Sequence, residues 1–181
     1  MEIGALLYTT WTEFERNKLN EAIELVNNPK AHPCFFEAVA LYLSNALDVD
    51  YVLIGRLNKN KEQTIRTLTM VIEKLVVPNV EYALENTPCE QVFGNEICCF
   101  PFQLQNRFPE DRMLVDLGIE SYIGAPLNNL NEEPVGLLAL MHRKSIVKTP
   151  FLDALITIMT LPIEQELHRL SANSQEFTNC Q

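Results

Sequence analysis

Apolar residues recur at helical spacing in the first fifty positions and predict two helices. Thr12 and Glu15 form a Thr-x-x-Glu capping box, and the run at 27–29 contains two asparagines and a proline, so we expect a helix over about 12–27. Pro33 suits the first turn of a second helix. The second helix carries one apolar stripe, made up of Phe36, Val39, Ala40, Leu43 and Leu47.

The pattern then changes to one that is typical of strands. Residues 51–54 and 64–72 are rich in β-branched and other β-prone side chains, and a Lys/Asn-rich turn at 58–61 separates them. These features predict a β-hairpin. Pro78 interrupts the following segment, 76–84, and proline cannot donate to a strand ladder. We therefore expect an irregular crossing segment there and not a central strand.

Two helix starts led by proline are predicted in the middle of the chain. Thr87-Pro88-Cys89-Glu90 is a second capping box, so a short helix should begin there and end near Gly94. The segment 108–111 opens another helix with acidic residues in its first turn, and Gly118 should end it. Both starts direct backbone N–H groups into a loop region.

The last third of the chain predicts an antiparallel strand pair and a long helix. Residues 121–127 and 134–142 are apolar runs joined by a turn-forming segment, and neither alternates cleanly, so both faces of these strands should be covered. Gly124 and Gly136 within them indicate close backbone approach or bulges. A final helix should start at Thr149-Pro150 and be kinked or divided at Pro162, and the polar tail beyond it should fray.

Composition narrows the class of protein. The chain has 181 residues, 47% of them hydrophobic and 21% charged, which fits one domain with a core of its own. A net charge of -10 disfavours nucleic acid and anionic lipid as partners. We find no apolar run of about 18 residues and no basic stretch typical of a signal peptide. These features favour a cytoplasmic location.

The five cysteines do not form a disulfide framework by their spacing. They are an odd number in a chain large enough to fold without cross-links, so we expect reduced thiols. The five positions are Cys34, Cys89, Cys98, Cys99 and Cys180.

Four local motifs give the sequence a family likeness. Together they resemble GAF domains found in bacterial sensor proteins. The motifs are Tyr82-Ala-Leu-x-x-Thr87-Pro-Cys89-x-x-Val92, Phe108-Pro-x-Asp111, Ser121-Tyr-x-Gly124-x-Pro126-Leu127 and Pro134-Val-Gly136-Leu-Leu138.

This resemblance implies a fold and a domain organisation. It covers 33–171, which leaves 1–32 as an N-terminal helical extension and 172–181 as a frayed tail. The implied fold class is α/β (α+β). We expect a GAF/PAS-like antiparallel sheet with helices on one face and a loop-covered pocket on the other. The N- and C-terminal helices should pack together. GAF domains serve regulation in signal transduction more often than chemistry, and they commonly dimerise through their terminal helices.

The implied pocket has an aromatic wall and a few polar groups. The aromatic residues would form an apolar cup, and an aspartate or an arginine would make the polar contacts. The alternative is that the aromatic residues only cover the open face of the sheet. The candidate ligand-binding residues are Cys89, Phe100, Phe102, Arg107, Phe108, Asp111 and Tyr122.

A redox role is the second possibility. Cys89, near a helix start, would have its thiolate favoured by the helix dipole, and Cys98 and Cys99 follow in the same loop. This loop is similar to that of free methionine sulfoxide reductases, which are GAF proteins. However, 111–121 contains no cysteine to match their third one, and 51–56 differs from their strand. The alternative is that Cys89 is an ordinary buried residue.

Three hypotheses remain open at this stage. The first is a non-catalytic sensor that binds an unidentified small molecule or acts as a homodimer, passing its signal to a separate protein. The second is a thiol-based redox enzyme or sensor. The third is a ligand-free scaffold for protein interactions. The sequence identifies no cofactor, and adjacent cysteines are poorly placed for a metal site. His142, at the end of a predicted strand, is expected to be satisfied by hydrogen bonds.

Overall fold

The helices of the chain divide into three long ones and several short segments. The structure is a computed structural model that describes residues 11–29, 32, 34–58, 63–94 and 97–172. The expectations for the termini, Pro33 and the turn at 59–62 concern residues outside these ranges. No helix within these ranges is both long enough and apolar enough to span a bilayer. The helices are α1 (Glu13–Asn27), α2 (Phe35–Leu47), α3 (Leu104–Arg107), α4 (Arg112–Asp116) and α5 (Pro150–Ala172), with a 3-10 helix at Pro88–Gly94.

The predicted capping box at the start of α1 is confirmed. The Thr12 hydroxyl accepts a hydrogen bond from the backbone N–H of Glu15 at 3.2 Å, and the Glu15 carboxylate accepts one from the backbone N–H of Thr12 at 2.8 Å. The carboxylate also accepts from the Thr12 hydroxyl at 2.8 Å, and the two bonds that it accepts from Thr12 lower the pKa of Glu15, because they favour its charged form. The first two predicted helices are therefore present.

One antiparallel sheet of seven strands forms the centre of the molecule. The order is β3-β2-β1-β7-β6-β5, with β4 also paired to β2. Both predicted hairpins, β1–β2 and β6–β7, are confirmed, and β1 pairs with β7 to join them at the middle of the sheet. The strands are β1 (Tyr51–Asn58), β2 (Thr64–Ile72), β3 (Leu75–Val77), β4 (Glu81–Ala83), β5 (Cys98–Phe100), β6 (Ser121–Asn128) and β7 (Pro134–His142).

The segment around Pro78 forms two short strands at the sheet edge. β3 and β4 lie on either side of this proline, and both pair with β2. The prediction that this segment is not a central strand is confirmed. It is more regular than expected, because β3 ends before the proline and β4 begins after it, so the proline takes no place in either ladder.

The sheet separates two apolar clusters. Alternate residues point to opposite faces of a strand, so Val52 and Ile54 pack against α1, α2 and α5, while Tyr51 and Leu53 pack against the short segments on the other face. The three long helices thus lie together on one side. The 3-10 helix, α3 and α4 cover the other side, as the predicted fold class requires.

The first and last helices are packed together. The rings of Phe14 in α1 and Phe151 in α5 have centroids 6.3 Å apart. Helix α5 runs over 23 residues with Pro162 inside it. Pro162 was predicted to kink or divide this helix. Division is wrong, because the buried side chains of Met159 and Ile163 on either side hold the helix against the core. A kink at Pro162 stays a prediction.

Gly136 marks the close approach that the sequence predicted. A Cβ atom at this position would lie 2.3 Å from the carbonyl oxygen of Gly55 in β1. The two central strands can therefore approach this closely only because position 136 carries no side chain.

Candidate functional site

The candidate site lies on the face of the sheet that carries no long helix. The 3-10 helix and α4 cover β1, β6 and β7 there, and a void of about 30 Å³ remains beneath them. The sequence predicted a ligand pocket in this region. The void is about large enough for one water molecule, because buried side chains, Leu53 and Tyr122 among them, occupy the rest.

Cys89 is the most buried of the three candidate thiols. Its Sγ lies 3.3 Å from the hydroxyl of Tyr82 and accepts a hydrogen bond from the hydroxyl of Tyr122 at 3.4 Å. Burial raises the pKa of the Cys89 thiol, and the two hydroxyls offset this only in part. Burial likewise raises the pKa of both tyrosines. The cluster is therefore neutral and hydrogen-bonded at neutral pH.

The predicted capping box next to Cys89 is wrong. The segment is a 3-10 helix, and the Thr87 hydroxyl donates to the carbonyl of Leu84 at 2.7 Å and so does not cap the turn that follows. Glu90 accepts from the backbone N–H of Asn86 at 3.0 Å. Both side chains stabilise the turn before the helix, because Ser, Thr and short polar residues offer such local bonds in competition with capping.

Asp111 opens α4 and lines the void. Its carboxylate accepts a hydrogen bond from the backbone N–H of Met113 at 3.1 Å. It is half-buried, and burial raises its pKa above the ordinary range despite that bond. The helix begins at 112, later than the segment 108–111 predicted, and Gly118 follows its end at φ +67° as expected. Asp111 is thus a positioned carboxyl group inside an apolar region.

The aromatic candidates pack beside the void, with one exception. Phe100 contacts Phe108 edge to face at 5.2 Å between ring centroids, and its centroid lies 6.3 Å from that of Tyr122. The guanidinium of Arg107 lies 5.5 Å from the Phe100 ring. Phe102 is 51% exposed and does not join this group. Of these, only Tyr122 lines the void itself.

Cys98 and Cys99 lie on opposite faces of β5. Cys98 packs with the cluster around the void, whereas Cys99 packs with the cluster on the helix side. Burial raises the pKa of both thiols. Among the described residues, no cluster of His, Cys, Asp and Glu could hold a metal ion. The three redox candidates therefore do not share one environment.

The expectation of reduced cysteines holds for part of the set. Cys89, Cys98 and Cys99 are free thiols. Cys34, which precedes α2, is disulfide-bonded, so the expectation is wrong for this residue. Spacing along the chain does not reveal which cysteines the fold brings together. Cys180 lies outside the described residues.

His142 lies at the end of β7 in an ion-pair contact, but its buried Nδ1 makes no hydrogen bond of acceptable geometry with the described residues, so the expectation of a hydrogen-bonded histidine is wrong. Its Nδ1 atom lies 2.7 Å from Oδ2 of Asp50. The same carboxylate oxygen accepts from the backbone N–H of Arg143 at 2.9 Å. His142 thus ties two strand ends together and is remote from the void.

Two features of the site were missed from the sequence. Tyr82, quoted only as part of a motif, contacts Cys89, and Met141 lines the void from β7. The short spacing between Tyr82 and Cys89 gave a signal for the first contact. The second follows only from the strand register.

Comparisons with known proteins agree with this architecture. The family model described as GAF domain matches residues 33–161. The chain belongs to the GAF domain family. Sensory and regulatory roles in signalling are typical of this family.

Solved structures show the same fold. The GAF domain of an Acinetobacter phosphoenolpyruvate-protein phosphotransferase is 12% identical with a TM-score of 0.68, over 91% of this chain and 99% of that one. The A. aeolicus nlh2 GAF domain, in an inactive state, is 16% identical with a TM-score of 0.60, over 86% and 97%. At these identities the likeness shows the fold alone.

A larger relative contains the same fold. The chromophore-binding domain of a Stigmatella aurantiaca bacteriophytochrome is 12% identical with a TM-score of 0.65. The match covers 87% of this GAF domain and 61% of the bacteriophytochrome chain, so this GAF domain spans about three fifths of that structure. A comparison with curated proteins finds no match.

Proposed function

We propose that this chain is a non-catalytic regulatory GAF domain of signal transduction that acts as a homodimer through its layer of terminal helices. The observation that carries the proposal is the small void. Sites for small molecules generally have volumes of about 300–1,000 Å³, whereas the space under the short helices is about 30 Å³. The region where the family pocket was expected is thus nearly filled by side chains, which favours the helix layer as the route for a signal.

The helix layer exposes apolar side chains. Phe14 of α1 is 57% exposed and Leu161 of α5 is 58% exposed, although both helices also contribute to the core. In the proposed dimer, the helices of the partner copy would cover these side chains and remove their apolar surface from water. A second copy of the chain offers the same helices and thus a self-complementary contact.

The environments of the three free thiols in the described part of the chain support a role without catalysis. A reactive cysteine has a lowered pKa, because the thiolate is the reacting form. Burial instead raises the pKa of Cys89, Cys98 and Cys99. The thiol-enzyme hypothesis thus has no support from the environments of these three residues.

Sedimentation equilibrium of the full chain tests the proposal. Wild type should be dimeric at about 100 µM, and the double variant Phe14→Ser, Leu161→Ser should dissociate at least about tenfold more readily. Leu130→Ser is the matched control, because Leu130 is 81% exposed in the turn between β6 and β7. It should leave the dimer unchanged. A wild-type monomer at that concentration would contradict the proposal.

Small-molecule binding at the void is the second candidate function. It is favoured by Asp111, a half-buried carboxyl group that lines the void with its pKa raised by burial. Binding would require Tyr122 to move. A ligand at a hundredfold excess over its Kd would stabilise the fold by about 2.7 kcal/mol, which a thermal-shift screen of metabolites, nucleotides and tetrapyrroles measures. A screen without any shift would count against it.

A further inference from the structure

One cysteine differs from the others in its redox state. Cys34, the residue before α2, is disulfide-bonded, whereas Cys89, Cys98 and Cys99 are free thiols. The sequence contains five cysteines, and the fifth, Cys180, lies outside the described residues. Within one chain, Cys180 is therefore the only cysteine left to pair with Cys34.

The fold places Cys34 near the end of β1. Helix α2 packs against β1 and β2, and a short turn through the left-handed Asp48 connects it to Tyr51 at the start of β1. The chain thus reverses, and the start of α2 lies beside the last residues of β1. The lengths agree, because the 13 residues of α2 span about 20 Å and the strand from Tyr51 to Arg56 spans about 17 Å.

The end of α5 lies at the same place. The Arg56 guanidinium, near the end of β1, donates to the Ser171 hydroxyl in the last turn of α5 at 3.4 Å. Cys180 is eight residues beyond Ala172, the last residue of this helix, and a chain of that length reaches about 26–29 Å when extended. It is therefore long enough to bring Cys180 to the start of α2.

The Cys34 sulfur is accessible to a small thiol. Cys34 is partly exposed, and its side chain makes no capping bond to α2. Thiol-disulfide exchange requires that a thiolate reach the sulfur that it attacks. Access thus distinguishes Cys34 from Cys89, which is only 6% exposed.

We propose that Cys34 and Cys180 form a reversible disulfide, the latch, which ties the C-terminal segment to the start of α2. In the oxidised state the latch holds the end of α5 close to β1 and α2. In the reduced state only noncovalent contacts hold it there, that of Arg56 with Ser171 among them. Disulfides of proteins in reducing compartments are usually transient and redox-sensing, so the latch makes the order of this helix end depend on redox conditions. It goes beyond the proposed dimer and does not depend on it.

Glutathione disulfide can supply the oxidation. The thiolate of one cysteine attacks glutathione disulfide and releases one glutathione, and the other cysteine then displaces the second glutathione from the mixed disulfide. The bond between the sulfurs of Cys34 and Cys180 forms as that of glutathione disulfide breaks. Two electrons and the two thiol protons pass to glutathione, and reduced glutathione reverses both steps.

Peptide mapping of the full chain identifies the linked pair. Trypsin cleaves after lysine and arginine, so Cys34 and Cys180 fall on separate peptides, 31–56 and 170–181, and the other three cysteines stay together on 75–107. The chain is equilibrated with glutathione disulfide, and its free thiols are then blocked with N-ethylmaleimide in denaturant. Mass spectrometry should find 31–56 joined to 170–181, and about 10 mM reduced glutathione should separate them again.

Thermal unfolding and hydrogen exchange measure what the latch does. A disulfide that closes so long a loop restricts the unfolded chain, so the oxidised protein should melt at least about 5 °C above the reduced protein. Backbone amides in the last turn of α5 should exchange at least about tenfold more slowly after oxidation, because the latch opposes fraying of that turn.

Serine variants assign both effects to the latch. Cys34→Ser and Cys180→Ser should each abolish the differences in melting temperature and in exchange. Cys99→Ser is the matched control, because Cys99 is also partly exposed but is a free thiol. It should respond to oxidation as the wild type does.

Three results would overturn the proposal. The first is the absence of the linked peptides 31–56 and 170–181 after oxidation. The second is a disulfide between two copies of the chain, which a non-reducing gel would show as a covalent dimer. The third is a link that about 10 mM reduced glutathione does not open, because the disulfide would then be permanent.

Discussion

The hydroxyl of Tyr122 donates to the sulfur of Cys89 at 3.4 Å, in the middle of the region where a GAF pocket was expected. Tyr122 is 1% exposed and Cys89 is 6% exposed. With Tyr82 as the second partner of the sulfur, these side chains form one hydrogen-bonded group, and Asp111 is the charged group that lines the void beside them. The contact between them therefore explains the closed void better than any single bulky residue does.

The first prediction concerns this hydrogen bond. Tyr122→Phe should lower the free energy of unfolding by about 0.5–1.5 kcal/mol, the usual net value of an intramolecular hydrogen bond. Urea denaturation of Tyr122→Phe, Cys89→Ala and the double variant measures the coupling between the two positions. A coupling energy of zero would show that the bond does not stabilise the fold.

The second prediction concerns thiol reactivity. Because burial raises the pKa of all three free thiols, little thiolate forms at neutral pH and alkylation should be slow. Cys89 should react most slowly, because it is the most buried, and the rates at Cys98 and Cys99 should rise as the pH is raised. Mass spectrometry after timed iodoacetamide treatment measures this order. Rapid labelling of Cys89 at neutral pH would revive the redox hypothesis.

The third prediction concerns the close approach of β1 and β7. Gly136→Ala should destabilise the protein by about 1–3 kcal/mol, because the new methyl group meets a backbone oxygen that cannot move aside. Gly55→Ala is the matched comparison, since its new methyl group would meet a side-chain methyl of Ile65 instead, at 2.4 Å. Gly55→Ala should therefore lower the melting temperature less than Gly136→Ala does. A larger loss of stability in Gly55→Ala than in Gly136→Ala would mean that β1 and β7 move apart more easily than their pairing implies.

The fourth prediction concerns Asp111 and pH. Burial raises its folded pKa, so the folded state holds its proton more tightly than the unfolded chain does, and stability should fall as pH rises from about 4, its unfolded value, through the folded pKa. Asp111→Asn keeps an acceptor for the Met113 N–H but has no carboxyl group to ionise, so it removes this loss of stability at high pH. The variant should therefore have a higher Tm than wild type at pH 7.

That difference in Tm should shrink below about pH 4, where the carboxyl group is protonated in both states. The pH dependence is the control, because a simple packing effect of the asparagine would not change with pH. A variant less stable than wild type at every pH would show that the charged cap outweighs desolvation.

Much of the fold could be predicted from the sequence, because local signals agreed with tertiary ones. The capping box at Thr12 predicts a helix start, and the β-prone run from Tyr51 predicts a strand. Both predictions were confirmed. The capping box at Thr87 was not, because its hydroxyl finds the carbonyl of Leu84 instead. At Pro162, packing of the helix against the core outweighs the local effect of the proline.

The site was harder to predict, because it depends on how space is filled. The motifs brought Cys89, Asp111 and Tyr122 to one place, and the structure confirms that they line the same void. The size of that void depends on the register of β7 and the position of Met141, which no local pattern specifies. The proposed link between Cys34 and Cys180 could not be predicted either, since these residues are far apart along the chain and spacing does not show which cysteines the fold brings together.

Successive side chains of β7 face opposite sides of the sheet, and this arrangement affects how the protein can evolve. Leu138 and Leu140 belong to the cluster under the long helices, while Leu137, Ala139 and Met141 belong to the cluster under the short ones. Substitutions in one layer therefore leave the neighbours of the other layer in place. Each layer can diverge during evolution on its own, and the backbone of the central strands is the constraint that they share.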